Sequence, residues 1–222
     1  MRTDRFLTGF AAASFAGMAA AYFFLPESVP IHWSASGQVD RWGGKANVLW
    51  MGALPLLAAL LLRFLPRIDP RREAYARHAK SYDAIKLFLV PSLAAFGWIA
   101  VAAALGVGVD AALLTRAVVG VLLVGTGNFL GRLKRNFFVG IKTPWALADD
   151  EVWRLTHRRG GYVFVAMGLA FLVSLLLPPG PFLEAFLLAS GLGGVGYACL
   201  YSYLAWRRLR GPGARLGDPG RG

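Results

Sequence analysis

Long apolar stretches alternate with shorter polar connections along the whole chain. Six stretches of 16 to 24 residues stand out, and they lie at Phe6–Leu25, Val48–Leu65, Leu87–Leu105, Ala112–Leu130, Tyr162–Leu177 and Phe182–Ala205. A helix needs roughly 17–25 mostly apolar residues to cross the hydrocarbon core of a bilayer. Open strands are excluded there because their backbone groups would lack hydrogen-bond partners. The pattern predicts an all-α integral membrane protein with six transmembrane helices, although Tyr162–Leu177 needs flanking residues to reach the full length.

The composition narrows the class of protein further. Of the 222 residues, 56% are hydrophobic and 16% are charged, whereas an ordinary soluble domain is about half apolar and about a quarter charged. This excludes a soluble enzyme and a disordered chain. The single cysteine, Cys199, lies in the sixth stretch, so an intrachain disulfide is also excluded.

The net charge of +12 is distributed unevenly between alternate connections. All but three of the 24 lysines and arginines fall on one side of the six-span arrangement, and the exceptions are Arg41, Lys45 and Arg116. Connections rich in lysine and arginine stay in the cytoplasm, so we expect both termini there. The basic excess then faces membrane lipids with anionic headgroups, and direct binding of nucleic acid is not expected.

We expect a single membrane domain over residues 1–222. Its parts are a three-helix half at residues 1–105 with an outer loop at 26–47, a second half at residues 112–205 with a long inner loop at 125–161, and a basic flexible tail at residues 206–222.

The outer loop has the pattern of a small β-hairpin. Val29–Trp33 and Gln38–Trp42 are predicted short strands, joined by a Ser-Ala-Ser-Gly turn. Such a hairpin would bring His32 close to Asp40, either as a ligand site or as a hydrogen-bonded pair in a structured lid. Two ligands fall short of the three or four that zinc needs, so no metal or other cofactor is predicted. The candidate partner-binding residues are His32, Trp33, Asp40 and Lys45.

The first inner loop has the pattern of a cationic amphipathic helix on the membrane surface. Asp69 is predicted to cap this helix, with Pro70 as its first residue. Tyr75 and Tyr82 lie on its apolar face, and His78 is expected on its polar face.

The second inner loop contains an acidic helix start at Asp149–Glu151, as the helix dipole favours. Trp153 and His157 share a face of this helix, and Gly160-Gly161 is expected to end it before the fifth span. Asp150 is expected to pair with Arg154.

Two further polar residues of this loop are candidates for chemistry. Asn128, near the membrane end of the fourth span, needs a partner on another helix or a polar cavity. Glu151 and His157 could be an acid–base pair or two metal ligands. They are six residues apart, so on a helix their side chains point about 120° apart around the axis. The two ligands of the i, i+4 zinc motif lie on one face instead. No catalytic residue is therefore predicted.

Residues Gly127–Trp145, followed by Val152–Arg158, resemble the signature of the SdpI family. These are bacterial membrane proteins whose namesake gives immunity to a secreted antimicrobial peptide. The outer loop is similar to the domain of unknown function that often precedes the signature, and its matching residues are Leu25-Pro26, Val29–Trp33, Gly37, Asp40 and Lys45. The resemblance covers roughly residues 20–175.

The resemblance implies a multi-pass protein of the bacterial cytoplasmic membrane. Its implied partners are a secreted peptide toxin at the outer loop and a cytoplasmic transcriptional repressor at the inner signature. The loop around Asn136, Trp145, Trp153 and His157 would report to the repressor. The candidate residues of the inner signature are Asn128, Asn136, Gly140, Pro144, Trp145, Glu151, Trp153 and His157.

Two other classes of function stay open. The histidines and carboxylates of the loops motivate a membrane metal-dependent hydrolase, and the apolar spans motivate a lipid-binding or transport protein. A proton-coupled pathway would need charged residues within the spans. Arg63, Arg116 and Glu184 lie near span ends instead, where long side chains can extend to the interface.

Overall fold

The computed structural model describes residues 2–34 and 38–210. Its helices and strands are α1 (Arg2–Ala21), β1 (Ser28–Trp33), β2 (Val39–Gly44), α2 (Ala46–Ile68), α3 (Arg72–Arg77), α4 (Ala79–Ala104), α5 (Ala111–Leu130), α6 (Pro144–Ala148), α7 (Asp150–Val173) and α8 (Pro181–Arg210). Short 3₁₀ turns extend α1 and α7. The six long helices α1, α2, α4, α5, α7 and α8 are long and apolar enough to cross a membrane, which confirms the predicted fold class.

The hairpin and the short helices lie at opposite ends of this bundle. We call the end with the β1–β2 hairpin the outer face and the end with α3 and α6 the inner face. The assignment of the inner face to the cytoplasm stays a prediction from the distribution of charge. Helix α8 continues through Arg210, so residues 206–210 of the predicted tail are helical, and residues 211–222 lie outside the described residues.

Glycines bring α5 and α7 into close backbone contact. A Cβ atom at Gly127 would lie 2.9 Å from the Gly161 carbonyl oxygen, and one at Gly168 would lie 2.7 Å from the Gly120 oxygen. Membrane helices associate through such small residues because lipid is as apolar as leucine and gives no hydrophobic drive for pairing. Gly127 and Gly168 therefore lie on the faces through which α5 and α7 pack.

The prediction that Gly160-Gly161 ends a helix is wrong. Helix α7 runs without interruption from Asp150 to Val173. A helical glycine costs only about 1 kcal/mol relative to alanine, and Gly161 is needed for the contact with α5. The acidic helix start and the fifth span are therefore one helix, and the short inner helices are α3 and α6.

The first inner loop also differs from its prediction. Helix α3 begins at Arg72, and Asp69 does not cap it. The helical path breaks at His78, whose backbone has φ −131° and ψ 23°. His78 is 4% exposed, so its placement on a polar face is wrong. Its ring packs instead against Tyr75 and Tyr82, because the second inner loop covers this side of the helix.

The predicted hairpin is confirmed. Strands β1 and β2 pair antiparallel from Ser28–Gly44 to Trp33–Val39, with irregular register on both sides of His32. Val29 anchors the hairpin, since it is fully buried against Met18, Val48 and Val101 at the outer ends of the helices. Residues 35–37 of the predicted turn lie outside the described residues.

Candidate functional site

The hairpin presents a polar pair on the outer face. His32 Nδ1 lies 2.5 Å from Asp40 Oδ1 across the two strands, and the side chains of His32 and Asp40 are 58% and 47% exposed. An exposed pair of this kind contributes about 0–1 kcal/mol to stability. Both groups therefore remain available to a partner at little cost to the fold. Within residues 2–34 and 38–210, no three His, Cys, Asp or Glu side chains form a group that could hold a metal ion.

The other two outer candidates have different surroundings. Trp33 is half-buried and lines a cavity beneath the hairpin. Lys45 Nζ donates to Glu27 Oε1 at 2.8 Å and lies over the ring of Tyr22, so it ties the hairpin to the end of α1. The hydrogen bond to the Glu27 carboxylate raises the pKa of Lys45. The structure adds Trp42 to the accessible surface, because its side chain is 59% exposed beside the His32–Asp40 pair.

Asn136 organises the second inner loop and is fully buried. Its Oδ1 accepts hydrogen bonds from the backbone N–H groups of Phe138 at 3.0 Å and Val139 at 2.7 Å. Its Nδ2 donates to the carbonyl oxygens of Lys134 at 2.9 Å and Val139 at 3.0 Å. Buried backbone groups require hydrogen-bond partners, and this segment has no helix or strand to provide them. The Asn136 side chain provides these hydrogen bonds instead.

Two buried side chains of the first inner loop join Asn136. The Tyr75 hydroxyl donates to Asp69 Oδ2 at 2.9 Å and lies 3.3 Å from Asn136 Oδ1. Asp69 Oδ2 also accepts from the Phe137 backbone N–H at 3.0 Å. Burial and the Asp69 carboxylate together raise the pKa of Tyr75. We call Asp69, Tyr75 and Asn136 the loop-joining cluster, because it fastens the two inner loops to each other.

His157 fastens the same loop to α7. Its Nε2 accepts from the Ile141 backbone N–H at 2.9 Å, and its Nδ1 donates to the Trp153 carbonyl oxygen at 2.9 Å. An amide N–H can only donate, so the ring proton sits on Nδ1. The imidazole stacks on the Trp153 indole with centroids 3.8 Å apart, and Trp153 Nε1 donates to the Leu133 oxygen at 2.9 Å. The predicted shared face of Trp153 and His157 is confirmed.

Gly140 fits beneath the His157 ring. Its φ of +125° lies in the region that favours glycine. A Cβ atom there would lie 2.2 Å from His157 Nε2. No larger residue fits without displacing the imidazole.

The short helix α6 connects the signature to α8. Thr143 caps α6 by accepting from the Ala146 N–H at 3.2 Å, and Pro144 is the first helical residue. The Thr143 hydroxyl also lies 2.5 Å from that of Ser202. Trp145 packs against Tyr203 of α8 with ring centroids 5.1 Å apart.

Asn128 and Glu151 lie outside this buried arrangement. Asn128 is exposed, and its Nδ2 donates to the Val124 oxygen of its own helix at 3.0 Å. Of its two predicted environments, it occupies the polar cavity, a space of about 290 Å³ that Arg132 and Arg158 also line. Glu151 is exposed and pairs with Arg154, so it does not meet the buried His157.

The predicted pair of Asp150 and Arg154 is wrong. Arg154 takes Glu151 instead, and Asp150 Oδ1 lies 2.5 Å from Arg135 Nε and 3.5 Å from Arg71 Nη1. Asp150 sits at the first residue of α7, where its side chain can reach back to the preceding loop.

Several buried polar residues were missed by sequence reasoning. Lys86 is 4% exposed and pairs with Asp4 and Asp83, both at 2.6 Å, which joins the inner ends of α1 and α4. Arg116 lies near the end of its span, as expected, but it is 7% exposed and thus buried between helices. The position of each basic residue, within or beside an apolar stretch, was a signal of its burial. Its partners could not be identified from the sequence, because they come from distant parts of the chain.

His78 predicts a pH-dependent stability. Burial, together with the positive charge of Lys134, lowers the pKa of His78 from 6.5 to about 4. The unfolded chain therefore takes up a proton between these values while the folded protein does not, so stability falls as pH decreases through this window. The expected loss is about 2 kcal/mol near pH 5.

This loss is measured by thermal unfolding of the detergent-solubilised protein at about pH 7.5 and about pH 5. His78→Gln keeps an acceptor for the Lys134 N–H, which bonds His78 Nδ1 at 3.2 Å, but does not titrate. The variant should lose clearly less stability than the wild type on acidification. An equal loss in both proteins would show that His78 is not the responsible group.

Six membrane-crossing helices with a structured loop region on each face define a multi-pass membrane protein. Residues 132–202 match the model of the SdpI/YfhL protein family, which confirms the resemblance. Together with the six helices, this match supports a multi-pass bacterial membrane protein. Residues 9–63 match a domain of unknown function, DUF1648. The two matched segments extend beyond the predicted limits of residues 20 and 175.

A curated relative aligns with most of the chain. Immunity protein SdpI of Bacillus subtilis (strain 168) is 24% identical over 191 residues, which cover 86% of this chain and 89% of the relative. No solved structure matches the chain.

Proposed function

We propose that this chain is a membrane immunity protein that protects its cell from a secreted antimicrobial peptide. The observation that carries the proposal is the likeness to Immunity protein SdpI, which extends through 86% of the chain and includes both loop regions. The function requires binding rather than bond breaking.

The outer hairpin is the proposed contact for the toxin. His32, Asp40 and Trp42 are exposed there, with Trp33 at the edge of the cavity below. Tryptophan is enriched among residues that dominate binding energy, and the His32–Asp40 pair offers hydrogen-bonding groups to a peptide backbone. Lys45 supports this surface through its ion pair with Glu27.

The inner signature has a different proposed role. Asn136, Trp153 and His157 are at most 2% exposed, so they act by holding the inner loops in one conformation. A partner on this face would meet charged groups around a neighbouring space of about 420 Å³. These are Arg71, Arg77, Lys134, Arg135, Asp150, Glu151 and Arg154.

A second proposed function is the retention of a cytoplasmic repressor by this charged inner surface. If the repressor is retained, a DNA-binding protein should be recovered with the membrane fraction when the toxin is present and not when it is absent. Arg77→Glu with Lys134→Glu should abolish this recovery while leaving protection from the toxin in place, because the substitutions lie far from the hairpin.

The immunity function is tested by deletion. Cells of the bacterium that encodes the chain, with the gene removed, should die in medium conditioned by the parent strain, and plasmid-borne wild-type protein should restore survival. Equal survival of the deletion strain and the parent would contradict the proposal.

A further inference from the structure

A largely apolar cavity of about 410 Å³ lies beneath the hairpin. Its walls come from the outer halves of α2, α4, α5 and α8, represented by Leu54, Phe96, Ala112 and Leu187, and Trp33 of β1 lies at its roof. The volume falls within the roughly 300–1,000 Å³ of small-molecule sites. The space therefore suits an apolar ligand within the outer half of the membrane.

One cation lines this apolar space. Arg116 lies in the second turn of α5, roughly 8 Å along the axis from the start of the helix. It is 93% buried, since its relative exposure is 7%. Its Nη1 donates to the Ser174 carbonyl oxygen at 3.3 Å, but its Nε is buried without a hydrogen-bond partner.

Arg116 has no counter-charge among the residues that the structure describes. In the described parts of the chain, no carboxylate forms an ion pair with it, whereas the other titratable group lining the cavity, His32, pairs with Asp40. An unpaired charge within a membrane protein is costly and marks a functional site. The missing counter-charge points to an anionic ligand.

We propose that this cavity binds an anionic phospholipid, with an acyl chain in the apolar space and the phosphate on Arg116. Guanidinium binds phosphate through paired hydrogen bonds. Ser174, the acceptor for Arg116, lies at the outer end of α7, which places the guanidinium near the level of the lipid headgroups. A phospholipid of the outer leaflet supplies both required parts and needs no route through water. This assignment is independent of the proposed immunity function.

The test is native mass spectrometry of the full-length protein in detergent, titrated with dioleoylphosphatidylglycerol. Wild-type protein should retain one molecule of this lipid in preference to dioleoylphosphatidylcholine. Arg116→Gln should weaken retention about tenfold or more, as expected for loss of a charge-assisted hydrogen bond. Ala112→Leu should weaken it too, because the larger side chain occupies the apolar space. Arg63→Gln, at an exposed arginine of α2, is the matched control and should bind as the wild type does.

Each contrary result has a definite meaning. Equal retention of the two phospholipids, or unchanged binding by Arg116→Gln, would overturn the role of the guanidinium. Unchanged binding by Ala112→Leu would overturn the location. Oleate is titrated in parallel. Retention of oleate but not of the phosphatidylglycerol would overturn the phospholipid assignment in favour of a fatty acid. Gel filtration and circular dichroism of each variant establish that it is folded before titration.

Discussion

Replacing Asn136 with alanine is expected to lower the free energy of unfolding by about 4 kcal/mol. The substitution removes the acceptor for the Phe138 and Val139 N–H groups and the donor to the Lys134 and Val139 carbonyl oxygens. Each buried polar group left without a partner costs about 1–3 kcal/mol. Water cannot compensate easily, because Asn136 is fully buried. The measurement is thermal unfolding in detergent, together with the amount of protein in the membrane.

Asn128→Ala is the matched control. This asparagine belongs to the same signature but is exposed, and its hydrogen bond to the Val124 oxygen lies within α5. Its replacement should change stability by no more than about 0.5 kcal/mol. Similar losses in both variants would mean that the hydrogen bonds of Asn136 do not hold the inner loops.

Gly140→Ala is expected to cost about 3 kcal/mol or more. Alanine is disfavoured at φ +125°, which contributes about 1–3 kcal/mol of strain. The new methyl group would also lie 2.2 Å from His157 Nε2. The imidazole must then move, which breaks its bond from the Ile141 N–H and disturbs its stacking on Trp153. Thermal unfolding and membrane abundance are again the measurements.

Gly106→Ala separates these two costs. Gly106 has φ +72°, but a Cβ atom there would meet nothing within 4 Å. The control should therefore show the backbone cost alone and be clearly more stable than Gly140→Ala. If the two variants were equally stable, the contact between Gly140 and His157 would not matter.

The spans and the hairpin could be predicted from the sequence because their determinants are local. The length of an apolar stretch decides whether a helix crosses lipid, and β-branched and aromatic residues around turn residues indicate strands. His32 and Asp40 lie eight positions apart on two such strands, so their contact followed from the hairpin.

The loop-joining cluster could not be predicted in this way. Tyr75 and Asn136 are 61 positions apart, and Phe137 and Asp69 are 68 apart. Periodicity says nothing about which loops meet, so the sequence alone predicts a local helix cap at Asp69 and a polar-face position for His78. Local preference predicts a helix end at Gly160-Gly161. The helix continues because the tight packing of α5 on α7 overrides this weak preference.

The two faces of the protein thus differ in how their signature residues are used. Outer candidates such as His32 and Asp40 are accessible, whereas inner ones such as Asn136 and His157 are buried. Substitutions of the buried inner residues should therefore reduce protection by reducing the amount of folded protein. Substitutions on the outer face should reduce protection per molecule.

The most direct test uses the deletion strain complemented with the double variant His32→Ala with Asp40→Ala. The measured quantity is survival in the presence of the toxin, divided by the amount of the protein in the membrane. We predict a wild-type amount of protein, because an exposed pair adds little stability. We also predict a loss of protection of roughly tenfold or more, as for residues central to an interface. Wild-type protection by the double variant would contradict the assignment of toxin contact to the hairpin.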